Sequence, residues 1–482
     1  MLSAGLFLLL AALFAAPAGA APVTVLDGDR AVTRNDPFLP AADLPAPPRG
    51  TPVRTRAHAA QRGPSVRAEL ARLLREGAID QAEHDARVAT YNEARRAYRG
   101  LSGTRRAELR AVLRNVEAIA AARDLTASRL EPLFLILDRN REWWTTGPLI
   151  PNGRRVTFEG TQLILQYYRG QGLQIQPLAN FGRANALWRA ERERNLRRLL
   201  DELAAVAAER GGAVAWEYYF NFGGGSPPWT SGLSQGTAIQ ALARAADLLG
   251  EPAYRDVATR ALGIFEQRPP TGVRVSTDAG AHYLIYSFAP RLRVLNGFLQ
   301  SVIGLYDFSQ LTGDARARAL FAAGEAEARV DVPRYDTGAW SLYSLERESD
   351  LSYHNLVRDF LRNLCERLST PVYCDTADRF TEYLSTPPVV SPVTRRIRTG
   401  RAANLRFRLS KISRVGLVVL DGSGRTVFAT SATVGYGTRS FRWSRPARPG
   451  SYTLRVTATD LAGNQAAAEG PLRILRRRRG RM

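Results

Sequence analysis

The chain has 482 residues, of which 45% are hydrophobic and 23% are charged. These proportions are typical of a globular protein and exclude a disordered chain, and the length predicts two or three domains. A net charge of +22 would suit a nucleic-acid-binding protein, but residues 387–482 carry +17 of it and show no recognition-helix pattern, which argues against a nucleic-acid partner.

The N-terminus has the pattern of an export signal. An apolar run at residues 6–14 precedes Ala18-Gly19-Ala20, small residues typical of a signal-peptide cleavage site. We therefore expect residues 1–20 to be a signal peptide and the protein to be secreted or associated with the cell envelope. An uncleaved anchor is the alternative, although the run is too short to span a bilayer comfortably. No other transmembrane segment is expected.

Residues 21–63 are rich in Pro and Ala and show neither a helical nor a strand period, which predicts a linker. Residues 64–140 are predicted to form a helical support region. Apolar spacing or a capping pair marks three helices: Val66, Leu70, Leu73 and Leu74 for the first, Asp80 and Glu83 for the second, and Val112, Val116 and Ile119 for the third.

In residues 141–386, helices alternate with short loops rich in Gly and aromatic residues, and strand signals are sparse. This texture predicts repeated helical hairpins in an α/α toroid whose aromatic loops gather at one end. Such a cleft suits a polysaccharide, because aromatic faces pack against sugar CH groups. The four histidines show no metal-ligand spacing, and we expect neither a metal nor another cofactor.

Residues 387–475 have the alternation of β-strands, clearest in residues 404–409 and 450–458. About seven short strands predict a β-sandwich of immunoglobulin type, followed by a basic tail at residues 476–482. Its concentrated positive charge predicts salt-sensitive association with an anionic polymer, such as one of the cell envelope. We expect the helical region to fold without this module.

The only cysteines are Cys365 and Cys374. In an exported protein such a pair predicts a disulfide, with two buried free thiols as the alternative. Cys365 ends a predicted helix over residues 356–364, and Cys374 begins the next helix after Pro371. A helical hairpin of this kind can bring the two Cα atoms within about 4.4–6.8 Å, the range that a disulfide needs.

Residues 216–383 carry several motifs in a distinctive order. They are Trp229 with Gln235-Gly236, Tyr283-Leu-Ile-Tyr286, Val294-Leu-Asn-Gly-Phe298, Gly304-Leu-Tyr-Asp307, Tyr335-Asp-Thr-Gly338 and Tyr353-His354. In order and spacing they resemble the C-terminal catalytic domain of D-glucuronyl C5-epimerases. That family has a tryptophan followed by a QG helix, a WYEEYP-like loop, VLNGF, GLYD, YDTG and a later YH.

The resemblance implies that three tyrosines are the acid and base groups. They are Tyr286 in the loop, Tyr343 just beyond YDTG and Tyr353 of YH. The predicted substrate-binding residues are Trp229, Gln235, Asn296, Arg347 and His354. For three of these a structural role is the alternative: Trp229 as core, His354 as a capping residue and Asn296 as a residue that fixes a loop.

The sequence departs from the family pattern at two places. Leu284 and Ile285 stand where the family has acidic residues before the first tyrosine. Glu346 stands where the family has an arginine three residues after the second tyrosine, and Arg347 follows it.

The chemistry implied by the resemblance explains the residue types. Epimerising a hexuronic acid at C5 removes the proton next to a carboxylate, and two groups on opposite ring faces must take and return it. A cation must stabilise the enediolate. Tyrosine has a pKa of about 10, so a tyrosine base needs a positive neighbour. The candidates for this neighbour are Arg291, Arg293, Arg347 and His354.

We therefore expect an exported epimerase-type enzyme that abstracts and returns the C5 proton of hexuronic acid residues in an acidic polysaccharide. One alternative is a uronate polysaccharide lyase, which forms the same enediolate but expels the O4 substituent. The other is a catalytically silent carbohydrate-binding protein of the envelope, which Leu284 and Ile285 favour because the family has acidic residues there.

Overall fold

The computed structural model describes residues 21–40 and 63–476. They divide into two compact units. The first unit runs to Arg274 and includes Tyr286–Ala289 and Gly304–Arg318, and the second consists of Val275–Ile285, Pro290–Ile303 and the residues from Ala319 onward. The predicted signal peptide, the end of the predicted linker and all but one residue of the basic tail lie outside the described residues. Within the described ranges, no helix combines the length and apolar character that a membrane span requires.

The first unit is rich in helices, as predicted. Its helices are α1 (Val66–Arg75), α2 (Gln81–Gly100), α3 (Gly103–Ala121), α4 (Ala127–Thr146), α5 (Pro177–Arg189), α6 (Glu193–Ala205), α7 (Gly232–Leu249) and α8 (Pro252–Ala261), with a 3₁₀ turn at Leu262–Phe265. The three helices predicted for residues 64–140 are confirmed. The Asp80 side chain caps α2 by accepting a hydrogen bond from the backbone N–H of Glu83 (2.7 Å).

A five-stranded sheet in the first unit was not predicted. The unit's strands are β1 (Ala21–Asp27), β2 (Arg30–Asp36), β3 (Arg155–Phe158), β4 (Leu165–Tyr168), β5 (Gly172–Ile175), β6 (Ala208–Arg210) and β7 (Ala213–Ala215). The large sheet has the order β2-β1-β3-β4-β5, and β6 pairs with β7.

The linker prediction is therefore wrong for residues 21–40. Gly28, with a positive φ of 59°, turns the chain between β1 and β2. Val23 and Leu26 of β1 are buried, and β1 pairs in parallel with β3, more than a hundred residues later. This segment is ordered by tertiary pairing that its own short sequence does not encode.

The second unit contains the rest of the helical region. Helices α9 (Leu295–Thr312) and α10 (Ala315–Asp331) contribute residues to both units, and α11 (Leu351–Leu368) and α12 (Pro371–Glu382) lie in the second. Short hairpins are formed by β8 (Arg274–Ser276) with β9 (Ala281–Tyr283) and by β10 (Leu342–Ser344) with β11 (Arg347–Glu348). A 3₁₀ turn lies at Val332–Tyr335.

The disulfide prediction is confirmed. Cys365 and Cys374 are bonded, with their Cα atoms 4.9 Å apart, across the connection between α11 and α12. Helix α11 starts earlier than predicted, because the Asp350 side chain caps it by accepting a hydrogen bond from the backbone N–H of Tyr353 (2.9 Å).

The C-terminal part is rich in strands, in agreement with the prediction. The strands are β12 (Val390–Pro392), β13 (Arg396–Arg398), β14 (Ala403–Leu409), β15 (Ser413–Leu420), β16 (Thr426–Val434), β17 (Gly437–Trp443), β18 (Gly450–Asp460) and β19 (Gln465–Leu475). One sheet has the order β12-β14-β17 and the other β13-β19-β18-β15-β16. Leu405 and Phe407 of the first sheet share one hydrophobic core with Leu417 and Val456 of the second, so the sheets form a sandwich. Its immunoglobulin type and the toroidal arrangement of the helices stay predictions.

Candidate active site

Tyr286 belongs to the first unit and lies in a cluster of aromatic rings. Its ring stacks on Phe288 (centroids 5.4 Å apart) and meets the edges of Phe222 and Trp229 at 5.5 and 5.7 Å. The backbone N–H of Ser287 donates to the carbonyl of Thr230 (2.9 Å). The backbone next to Tyr286 and its ring are therefore held firmly in place.

Trp229 is a core residue of the same cluster, and the structure contradicts its predicted role as a sugar platform. Its side chain is only 1% exposed. One face stacks on Tyr218 with ring centroids 4.1 Å apart, and the indole Nε1–H donates to the carbonyl of Phe220 (2.8 Å). A ring enclosed in this way offers no open face to a sugar.

Gln235 likewise has a structural role instead of the predicted substrate-binding one. It is fully buried on α7. Its Oε1 accepts from the backbone N–H of Trp216 (3.1 Å), and its Nε2 donates to the carbonyl of Val214 (3.2 Å). Both ends of the amide are used to fix the chain around β7 against α7, because a buried amide must be satisfied internally.

Tyr343 and Tyr353 are brought together in the second unit. Tyr343 is a buried residue of β10, and Tyr353 lies half-buried in the first turn of α11. Their rings meet edge to face, with centroids 5.0 Å apart. Two of the three predicted acid–base residues thus form a pair, whereas the convergence of Tyr286 with this pair stays a prediction.

Arg347 supplies positive charge to this pair. Its guanidinium lies over the ring of Tyr343, with the central carbon 5.1 Å from the ring centroid, and the side chain is otherwise exposed. The hairpin of β10 and β11 creates this arrangement, because Ser344 and Arg347 are paired across it. Arg293, another predicted cation, is instead paired with Glu327 (3.2 Å), so its charge is already balanced.

His354 is structural, and its predicted role as a partner of the substrate carboxylate is contradicted. The ring is fully buried and stacks on Trp340 with centroids 3.7 Å apart. Its Nε2–H donates to the carbonyl of Phe380 (2.8 Å), and its Nδ1 lies 2.8 Å from the Ser341 hydroxyl, which therefore donates to it. Burial lowers the pKa of His354 to about 4, so the imidazole is neutral at pH 7 and has no free nitrogen.

Asn296 remains a candidate. It is the second residue of α9 and is buried. Its Oδ1 has no hydrogen-bond partner among the described residues. A buried amide oxygen without a partner is costly, and it could be satisfied by a sugar hydroxyl, so the substrate-binding role stays a prediction.

The family's acidic positions are filled by core residues. Leu284 and Ile285 are both fully buried. Ile285 packs against Gly297 of α9 so closely that a Cβ atom on Gly297 would lie 2.9 Å from the Cβ of Ile285. Packing of the segment after β9 against α9 thus occupies the place where the family has a carboxylate.

Comparison with known proteins agrees with these motifs. Residues 210–382 match the family model of the D-glucuronyl C5-epimerase C-terminus. The family resemblance of this region is confirmed. A D-glucuronyl C5-epimerase of Caenorhabditis elegans is 35% identical over 145 residues, which are 27% of this chain and 24% of the worm protein.

Two further matches are weaker. An uncharacterised protein of Methanocaldococcus jannaschii is 28% identical over 153 residues, which are 30% of this chain and 50% of the archaeal protein. The chain thus spans about a quarter to a half of these curated relatives. Among solved structures, a cellobiose 2-epimerase from Bacillus thermoamylovorans has a TM-score of 0.34 at 9% identity, over 53% of this chain and 71% of that one. This likeness is too low to define the fold.

Several residues of the epimerase motifs serve packing. A Cβ on Gly304 would come within 2.2 Å of the carbonyl oxygen of Gly236, so α9 and α7 approach each other closely at these two glycines. Asp307 accepts hydrogen bonds from Gln240 (2.7 Å) and Arg244 (2.8 Å). The residues that match the family motifs therefore include residues that pack the helices together as well as those of the candidate site.

A buried charge cluster near the epimerase motifs was missed by sequence reasoning. The Nδ1 of His282 lies 3.1 Å from Asp331, and one ligand atom from each of His282, Glu327 and Asp331 lies within 4.8 Å of the others. This set could hold a metal by distance alone. However, Arg334 pairs with Asp331 (2.8 Å) and Arg293 with Glu327 (3.2 Å), so the carboxylates are already neutralised and an ion-pair network explains the cluster.

Proposed function

We propose that the protein is a carbohydrate epimerase that exchanges the C5 proton of hexuronic acid residues in an acidic polysaccharide. The observation that carries the proposal is the contact between Tyr343 and Tyr353, with the guanidinium of Arg347 over the ring of Tyr343, in a region that matches the C5-epimerase family model. The pair supplies two proton-transfer groups, and the arginine supplies the nearby positive charge that the chemistry requires.

In this mechanism one phenolate takes the C5 proton, and the electron pair of the C–H bond moves into the carboxylate to give an enediolate. A second phenol then returns a proton to the opposite face of C5. Arg347 stabilises both the phenolate and the developing charge on the sugar. No atom is gained or lost by the sugar, and solvent restores the protonation of the two tyrosines.

The direct test is deuterium uptake at C5 when candidate uronic acid polymers are incubated with the protein in heavy water. Uptake without ultraviolet-absorbing product supports the epimerase. An unsaturated product that absorbs in the ultraviolet would instead identify the lyase. Binding without deuterium uptake would identify the catalytically silent carbohydrate-binding protein, which the buried Leu284 and Ile285 favour.

We also propose that the protein is exported and that its β-sandwich associates with an anionic polymer. Three arginines support the association with a polymer: Arg406 and Arg408 on β14 and Arg442 on β17 are exposed. Strand register places Arg406 opposite Ser440, Arg408 opposite Thr438 and Arg442 opposite Asn404, all on the side of the sheet away from the core. The outward side of these strands carries no acidic residue.

A further inference from the structure

Two loops of the β-sandwich are joined to the hairpin that carries Tyr343. Glu348 of β11 pairs across the hairpin with Leu342, the neighbour of Tyr343, and is only 7% exposed. Its carboxylate accepts one hydrogen bond from the backbone N–H of Ile412 (2.6 Å) and one from that of Tyr436 (2.8 Å). Hydrogen bonds to a carboxylate are among the stronger ones in proteins, so these two bonds attach the sandwich to the hairpin at Glu348.

Lys411 makes a second junction from the residue next to Ile412. It is the only lysine of the chain and is 1% exposed. Its ammonium donates to the carbonyl oxygens of Tyr383 and Thr386 and pairs with Asp460 (2.7 Å). An ammonium has three donors, and these three acceptors satisfy them, which explains why a compact lysine stands here in a chain otherwise supplied with arginine.

Lys411 also contacts the residues that hold the two tyrosine segments together. Its ammonium lies 5.3 Å from the ring centroid of Trp340, and Trp340 stacks on His354. Trp340 comes three residues before Tyr343, and His354 immediately follows Tyr353. A displacement of the Trp340–His354 stack would therefore move the two candidate catalytic segments relative to each other.

We infer that the β-sandwich is a structural part of the candidate active site, with Glu348 and Lys411 as positioning residues for Tyr343 and Tyr353. This inference rests on the proposed function. Glu348 holds the Tyr343 hairpin, and Lys411 braces the stack that joins this hairpin to α11. The module therefore acts on the site in addition to its proposed contact with a polymer, and independent folding of the helical region without residues 387–482 stays a prediction.

The experiment compares Glu348→Gln and Lys411→Met with the wild type and with the control Glu469→Gln. Glu469 forms an exposed pair with Arg455 on the sandwich and touches neither junction. Amide hydrogen exchange of residues 340–354 is measured without substrate, and the rate of C5 deuterium uptake is measured with a uronic acid polymer. Glu348→Gln is nearly isosteric and loses only one of two acceptors, so it is the variant most certain to fold.

Both variants should speed amide exchange in residues 340–354 by about tenfold, because a hydrogen bond to a charged group is lost. They should lower kcat by about 10²-fold with little change in KM, since a misplaced catalytic group costs turnover and not substrate affinity. The control should match the wild type in both measurements. Unchanged amide exchange in both variants, or faster exchange with a normal kcat, would overturn the inference. If the wild type shows no C5 uptake, the proposed function fails, and the exchange data still decide whether the sandwich holds the hairpin.

Discussion

Two aromatic groups of the protein contain the predicted catalytic tyrosines, and they differ in what surrounds them. Tyr286 lies among the rings of Phe222, Trp229 and Phe288 in the first unit. In the second unit, Tyr343 contacts Tyr353 and also lies under the guanidinium of Arg347. Tyrosines from one set of family motifs thus have different neighbours, aromatic rings around Tyr286 and a guanidinium over the ring of Tyr343, so the role of each group needs its own test.

Substitutions of Tyr343 and Tyr353 should have at least as great an effect on turnover as any other change proposed for the protein. Tyr343→Phe or Tyr353→Phe should lower turnover by about 10²–10⁴-fold, the usual contribution of a positioned proton-transfer group, while ring packing and thermal stability change little. The measurement is the rate of C5 deuterium uptake. A matched control is Tyr373→Phe, since the Tyr373 hydroxyl bonds to Glu325 in the same unit (3.1 Å). Full exchange activity in both Phe variants would contradict the assignment.

Tyr286→Phe decides whether the first group takes part in the reaction. If the three tyrosines converge as the resemblance implies, this variant should lose turnover to a similar extent. A variant that keeps full turnover would restrict the proton-transfer groups to the second unit. Deuterium uptake measured on the same polymer makes the two results directly comparable.

A third prediction contrasts a core residue, Trp229, with an exposed one, Arg347. Trp229→Ala should destabilise the protein by about 3–5 kcal/mol, the cost of removing a large buried aromatic side chain. Arg347→Gln should leave stability almost unchanged, because Arg347 is exposed, but should lower turnover by about 10²-fold. Urea unfolding and C5 uptake of both variants provide the measurements. A stable Trp229→Ala protein with weakened polymer binding would restore the sugar-platform interpretation.

The fourth prediction concerns the effect of His354 on stability at different pH values. Its pKa of about 4 in the folded protein lies below the ordinary value of 6.5. The unfolded chain therefore takes up a proton between these two values while the folded protein does not, so stability falls as pH drops through this window. The loss attributable to His354 approaches about 3 kcal/mol at pH 4 and vanishes above pH 7.

The measurement for this prediction is the unfolding midpoint in urea at pH 7 and pH 4.5, for the wild type and for His354→Gln. The variant loses the titrating group, so its stability should fall less between the two pH values. Equal losses in both proteins would show that His354 does not titrate in this window.

Local patterns in the sequence were sufficient for the helices and the disulfide. The helical period and the Asp80 cap predicted the first three helices, and the hairpin around Cys365 and Cys374 followed from the positions of predicted helices. The strand hairpin at residues 21–40 was missed, although its two-residue loop, Gly28-Asp29, is a recognised turn signal. Its pairing with β3 depends on a segment far along the chain, which no local pattern reveals.

Contacts within the candidate site could be predicted only where the residues that make them are close together in the sequence. Tyr343 and Arg347 lie close together because they are four positions apart in one hairpin. The contacts of Glu348 with Ile412 and Tyr436 span 64 and 88 residues, so they arise only in the folded chain. The same holds for the burial of His354, whose partner Phe380 comes from another helix.

The last prediction, for which we expect the smallest change, tests whether the sandwich binds a polymer through one defined surface or through its net charge alone. Arg406, Arg408 and Arg442 share the outward side of one sheet, whereas Arg396, Arg414 and Arg473 are exposed on strands of the other. Replacing either set by Gln removes three positive charges.

If the first surface binds the polymer, its triple variant should weaken association with a uronic acid polymer at low salt by about tenfold, and the second triple variant by much less. Binding measured over a range of salt concentrations should also show a shallower salt dependence for the first variant alone, because fewer close ionic contacts remain to be screened. Equal weakening by the two sets would mean that only net charge matters, and the β-sandwich would then have no defined binding face.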